Sequence, residues 1–111
     1  MTIRQAYGIE FTKIIDLNSK PYYWAVTKIP ENYDIASHIS VSDSYLTQDQ
    51  INELTKAING IPIQEEWGEI MGSTLTIYPS DGTVQINYTN RRIPIQDFKQ
   101  LLQEWLIFIN S

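Results

Sequence analysis

The residues of this chain that could do chemistry are few. Its only histidine, His38, stands in a stretch that also holds Ser40, Ser42, Asp43 and Ser44. These are the types used when a hydroxyl nucleophile, a general base and an orienting carboxylate work together. Such a relay is assembled by geometry and not by sequence proximity, and the G-x-S-x-G turn that exposes a nucleophilic serine is missing from the chain. A lone histidine among serines reads as an ordinary loop residue. Glu65 and Glu66 form an adjacent carboxylate pair, which glycoside hydrolysis would need on either side of one bond. Neighbours on a strand point to opposite faces, so these two cannot flank a single substrate.

Other chemistries lack their parts. The glycines Gly8, Gly60, Gly68, Gly72 and Gly82 are isolated, which leaves no phosphate-cradling loop. With zero cysteines and one histidine there is no ligand set for zinc or iron, and Asp43 to Glu53 does not match a calcium-binding loop. The expectation is a protein with no catalytic residues, no metal and no cofactor.

Charge gives a more positive indication. The net charge is −5 over 111 residues, and duplex nucleic acid demands clustered Lys and Arg, so a nucleic-acid partner is not expected. The charge is uneven. Residues 29 to 81 carry only Lys56 against Glu31, Asp34, Asp43, Asp49, Glu53, Glu65, Glu66, Glu69 and Asp81, a balance of −8, whereas residues 1 to 28 carry +2 and residues 82 to 111 carry +1. An acidic field of this kind suits a basic protein partner. The chain has no apolar run of bilayer length, and its first residues lack the basic-then-apolar layout of a signal peptide. With no cysteine it fits a reducing compartment, and a cytoplasmic location away from membranes is expected.

The elements that must position these residues follow from periodicity. Tyr7, Ile9 and Phe11 alternate with polar neighbours as in a half-buried strand, turn residues follow from Asp16 to Pro21, and Tyr22 to Ile29 is an aromatic and β-branched strand. Pro30 to Ser44 reads as a loop that holds at most one short element. Thr47-Gln48-Asp49-Gln50 has the form of a capping box, and Ile51, Leu54 and Ile58 then share one helical face until Asn59-Gly60. Glu66 to Met71 is a strand, and Thr74 to Tyr78 pairs with Thr83 to Tyr88 across Pro79-Ser80-Asp81-Gly82. From Ile95 the stripe Phe98, Leu101, Leu102, Trp105, Leu106 and Ile109 marks a closing helix. The order predicts one α+β domain over residues 1–111: an antiparallel sheet of about five strands with two helices packed on one face.

If Leu75, Ile77, Val84 and Ile86 point to the helices, Thr74, Thr76, Tyr78, Thr83, Gln85 and Asn87 line the open face. The same count puts Glu65, Trp67 and Glu69 together outward, a tryptophan anchor ringed by carboxylates. The candidate partner-binding residues are therefore Glu65, Glu66, Trp67 and Glu69, with Glu31, Tyr33, Asp34, Asp43 and Glu53 from the rest of the acidic segment.

The late segment DGTVQINYTNRR, residues 81 to 92, followed by IPIQDFKQLLQEWLIFIN, residues 93 to 110, resembles the endings of small bacterial immunity proteins. In these a late hairpin leads to a closing helix of the form Pro, Phe, Leu-Leu, Trp. The resemblance implies a cytoplasmic antitoxin from a contact-dependent growth inhibition or related polymorphic toxin system. It would bind and occlude a cognate toxin domain, often a basic nuclease, as a monomer in a 1:1 heterodimer. A small acidic secretion-type chaperone that holds an extended client segment is the alternative.

Overall fold

The computed structural model describes residues 2–15, 17–18, 21–63, 66–70 (backbone only), 73–87 and 92–110. Thr2 and Gln5 cap one another (Gln5 N–H to Thr2 Oγ1 3.1 Å, Thr2 N–H to Gln5 Oε1 3.0 Å) and start the single-turn helix α1 (Ile3–Ala6). Gly8, at φ +65°, turns the chain out of α1; a Cβ there would meet Ile29 Cδ1. Strands β1 (Ile9–Ile15) and β2 (Pro21–Thr27) then form a two-stranded antiparallel sheet, with Ile9 opposite Thr27 and Ile15 opposite Pro21.

The segment expected to be a loop with at most one short element is helical over most of its length. After a 3-10 turn at Pro30–Asn32 comes α2 (Tyr33–Ser40), which buries Ile35, Ala36, His38 and Ile39. Serines, Asn32 and Asp34 read as turn chemistry from local preference, but burial of one apolar face overrides propensity in a short helix. The next helix also departs from its expected start. In α3 (Ser44–Ile58) the N-cap is Asp43, whose Oδ1 accepts from the Leu46 N–H at 2.8 Å; Thr47 and Gln50 lie inside the helix and are fully buried.

A second antiparallel sheet runs in the order β3 (Glu66–Ile70), β4 (Ser73–Tyr78), β5 (Thr83–Ile86), β6 (Arg92–Pro94). The α+β class holds, with the strands divided between two sheets. The expected register of the late hairpin is present, Leu75 opposite Ile86 and Tyr78 opposite Thr83, and Leu75, Ile77, Val84 and Ile86 are buried. Their alternates Thr74, Thr76, Tyr78, Thr83, Gln85 and Asn87 are half-buried.

The closing helix α4 (Ile95–Ile109) inserts Ile95, Phe98, Leu101, Leu102 and Trp105. It packs along α3 and reaches β5 and β6. Phe98 and Trp105 are the largest side chains with no exposed surface to speak of, at 0% and 1%, and each contributes about 2–3 kcal/mol by leaving water. Trp105 also meets Phe11 edge-on at 5.1 Å, and Phe108 meets Tyr23 at 5.7 Å, so α4 supports the inner face of the β1–β2 hairpin as well. No helix among the described residues is long and apolar enough to cross a membrane.

Candidate partner-binding surface and a buried histidine

His38 is not a loop residue. It sits at zero exposure on α2, with Nδ1 2.6 Å from Ser73 Oγ and Nε2 2.6 Å from Gln50 Oε1. The hydrogen-bond network fixes the tautomer. Gln50 spends its amide hydrogens on Ser42 Oγ (3.1 Å) and Leu46 O (3.0 Å), so its Oε1 accepts from the His38 Nε2–H. Nδ1 then carries no proton and accepts from the Ser73 hydroxyl. Burial holds the imidazole below its ordinary range, with the Gln50 hydrogen bond acting as the smaller, opposing effect, so the ring is neutral at pH 7. Ser42 closes the circuit by donating to His38 O at 3.0 Å, while Ser42 O accepts from the Trp105 indole at 2.9 Å.

A serine on an imidazole backed by an amide has the connectivity of a hydrolytic relay, with the partners in different places from those the sequence suggested. Ser40 and Asp43 take no part. A neutral Gln50 oxygen cannot stabilise an imidazolium as a carboxylate does, and Ser73, at 6%, is closed to a substrate. The arrangement is a fully satisfied polar tie that fixes α2, α3 and β4 in one register.

The acidic candidates are dispersed. Asp43 is occupied as the α3 cap, Glu53 pairs with Lys56 at 3.2 Å, and Asp34 accepts from Asn87 Nδ2 at 3.2 Å. Glu31 and Tyr33 are exposed where β2 passes into α2, with Tyr33 53% accessible. Tyr33 and Asp43 flank opposite ends of α2, so these residues do not form one patch. Glu65 lies outside the described residues, and for Glu66, Trp67 and Glu69 only the backbone is described. That backbone bears on the expected cluster. Glu66 pairs with Thr76 but Glu69 pairs with Thr74, so β3 carries an extra residue between them. An alternation counted across this bulge does not hold.

The open apolar surface lies elsewhere, on the outer face of the β1–β2 hairpin. Cross-strand register places Ile14 beside Tyr22, Thr12 beside Trp24 and Glu10 beside Val26. Ile14, Tyr22, Trp24 and Val26 are 43%, 50%, 38% and 41% exposed. An aromatic side chain carries about 150–250 Å², so these four together present roughly 300 Å², the scale of the largest patch on an ordinary monomer. Ile29, 37% exposed, extends the patch past the end of β2. The inner face, by contrast, is packed: Ala25 is buried, and Phe11 and Tyr23 rest on α4.

Sequence reasoning missed this surface because it treated Tyr22 to Ile29 as one apolar run. The signal was present. Tyr22, Trp24 and Val26 occupy one parity while Tyr23 and Ala25 occupy the other, so the strand is apolar on both faces, and a two-stranded sheet has only one face against the core. Comparison of the chain with protein-family models, with curated proteins and with solved structures returns no match.

Proposed function

We propose that this chain is a protein-binding domain that docks the outer face of its β1–β2 hairpin on a folded partner, and that it serves as an immunity-type inhibitor of a toxin domain. The single observation that carries the binding reading is the exposure of Ile14, Tyr22, Trp24 and Val26 on one face of the hairpin, with Ile14 directly opposite Tyr22. The patch is the centre of an interface and not the whole of one, since a stable complex covers about 800 Å² per partner. Its neighbours Glu10, Thr12 and Ile29 would supply the rim. Trp and Tyr in such a centre are the side chains on which binding energy concentrates.

The inhibitor reading rests on the net charge of −5 and on the late hairpin and closing helix that resemble immunity proteins. A basic nuclease domain is the complementary partner. The free carboxylate Asp49 and the carboxylates of residues 65 to 69 steer its approach, and the hairpin holds it. A secretion-type chaperone would also use an exposed apolar face, but it would assemble as a homodimer around an unfolded client.

The test is co-expression with the product of the adjacent gene. A 1:1 complex with a folded domain is expected, and Trp24→Ala should speed dissociation by about 30-fold, the equivalent of a hot-spot loss near 2 kcal/mol. Absence of a complex, or wild-type dissociation by a Tyr22→Ala/Trp24→Ala double variant, would refute the reading. A homodimer holding an extended peptide would favour the chaperone.

A further inference from the structure

Both outward backbone groups of Ala25 are taken by one side chain: its N–H donates to Ser40 Oγ at 2.8 Å and its C=O accepts from Ser40 Oγ at 3.1 Å. Those groups therefore point away from β1, and the β2 edge is closed by α2. Phe11 is the register partner of Ala25. In an antiparallel ladder such a pair exchanges no bonds, so the N–H and C=O of Phe11 point away from β2, and the same holds two residues on at Lys13. Among the described residues nothing meets these groups. The Ile9 C=O, at the start of the same edge, is already taken by the Arg4 guanidinium at 3.3 Å. The free edge of β1 thus begins at Phe11 and runs toward the hairpin tip, with Lys13, Ile14 and Ile15 exposed along it.

Beside that edge lies a groove of about 450 Å³ lined by Arg4, Phe11, Glu104, Ile107 and Phe108. Arg4 stands over the groove at 5.3 Å from the Phe11 ring centroid, and beside the groove Lys13 stands 5.8 Å from the centroid of Tyr23, whose ring meets Phe108. We propose that the β1 edge accepts one extended strand of a partner protein, paired through the backbone of Phe11 and Lys13. The strand's inward side chains are an apolar group in the groove and a carboxylate between Arg4 and Lys13. This deepens the docking reading above and rests on it, since the added strand would continue the outer face that carries Ile14, Tyr22 and Trp24. A second copy fits less well. Self-pairing about Lys13 sets like charges directly opposite, self-pairing about Phe11 or Thr12 calls on the Ile9 C=O that Arg4 occupies, and each brings together two chains of charge −5. A carboxylate on this strand is compatible with a basic partner overall, because charges beyond about 8–10 Å are screened.

The probes are two synthetic eight-residue peptides with threonine at every odd position; the even positions, which share one face of the strand, alternate valine with glutamate in one and valine with lysine in the other. Amide exchange is followed by NMR on the full chain. The acidic peptide should slow exchange of the Phe11 and Lys13 amides by at least about tenfold and bind at least about tenfold more tightly than the basic one. Lys13→Pro removes the outward N–H together with the Lys13 ammonium and leaves the ladder to β2 whole, so it should keep the fold and lose both peptides, whereas Lys13→Glu keeps the N–H and should reverse the preference between peptides. Unchanged exchange at Phe11 and Lys13, equal binding of both peptides, or wild-type binding by Lys13→Pro would overturn the proposal. A dimer that Lys13→Pro dissolves would overturn it in favour of a second copy. If Lys13→Pro binds the adjacent gene's product normally while the Tyr22→Ala/Trp24→Ala variant does not, the edge fails and the outer-face reading stands.

Discussion

Lowering the pH should destabilise this protein through one side chain. His38 is the only histidine, buried at zero exposure, and burial holds its folded-state pKa below the ordinary 6.5. The unfolded chain binds a proton near 6.5 and the folded chain does not, so stability rises with pH and is lost as pH falls below about 6.5, until the folded ring itself protonates. Above about pH 7.5 the contribution is flat. The loss between pH 7.5 and pH 5 is at most about 2 kcal/mol, the limit set by a folded ring that takes up no proton, and the slope at most about 1.4 kcal/mol per unit. For a domain of this size that limit is a fall in melting temperature of up to about 10 °C. Urea titrations followed by tryptophan fluorescence across this range measure it. The comparison is His38→Gln, which leaves Ser73 and Gln50 short of a partner and is less stable at every pH, but whose stability should be level from pH 7.5 to about 5. Equal slopes in the two proteins, or an imidazole that titrates at its ordinary value in the folded state by NMR, would refute the assignment of His38 as a buried neutral tie.

Three substitutions test the packing around the hairpin. Trp105→Ala removes the 1%-exposed ring and its indole bond to Ser42 O, and should cost about 3–5 kcal/mol in denaturant unfolding. Asp43→Ala should cost about 1 kcal/mol by removing the α3 cap, whereas Thr47→Val, which removes the hydroxyl at the capping position the sequence suggested, should leave the amide exchange of the first α3 turn unchanged. Ser40→Ala strands the outward N–H and C=O of Ala25, which should cost about 1–3 kcal/mol and raise exchange at that amide.

What was legible in the chain divides by where its stabilisation comes from. The β4–β5 hairpin, the body of α3 and the whole of α4 could be read because their apolar residues recur at the period of the element, and Leu75, Val84, Phe98 and Trp105 are buried as that period requires. Helix α2 could not, because Ile35, Ala36 and Ile39 are separated by Ser37 and a histidine, and the helix depends on contacts with β2 and β4 instead of on its own sequence. The α3 boundary went to the wrong cap since Thr47 and Gln50 satisfy a local pattern that the buried His38 network uses for a different purpose. For the binding surface, the acidic candidates were chosen by charge alone. Charge does not say which carboxylates fold will employ, and Asp34, Asp43 and Glu53 are each engaged within the molecule. The hairpin face was within reach from the double parity of Tyr22 to Val26. The open β1 edge was not, because it depends on a serine fifteen positions away from Ala25.

That serine also sets a limit on growth. A sheet elongates like a polymer only if each unit offers an unpaired rim on both sides. Here the β2 rim is bound at its midpoint by Ser40, and exposing it would mean withdrawing α2 and with it Ile35, Ala36 and Ile39 from the core. Through this sheet the chain therefore has a valence of one. It can end a row of strands but cannot pass the row on, so raising its concentration fills partner edges without lengthening the particles they form.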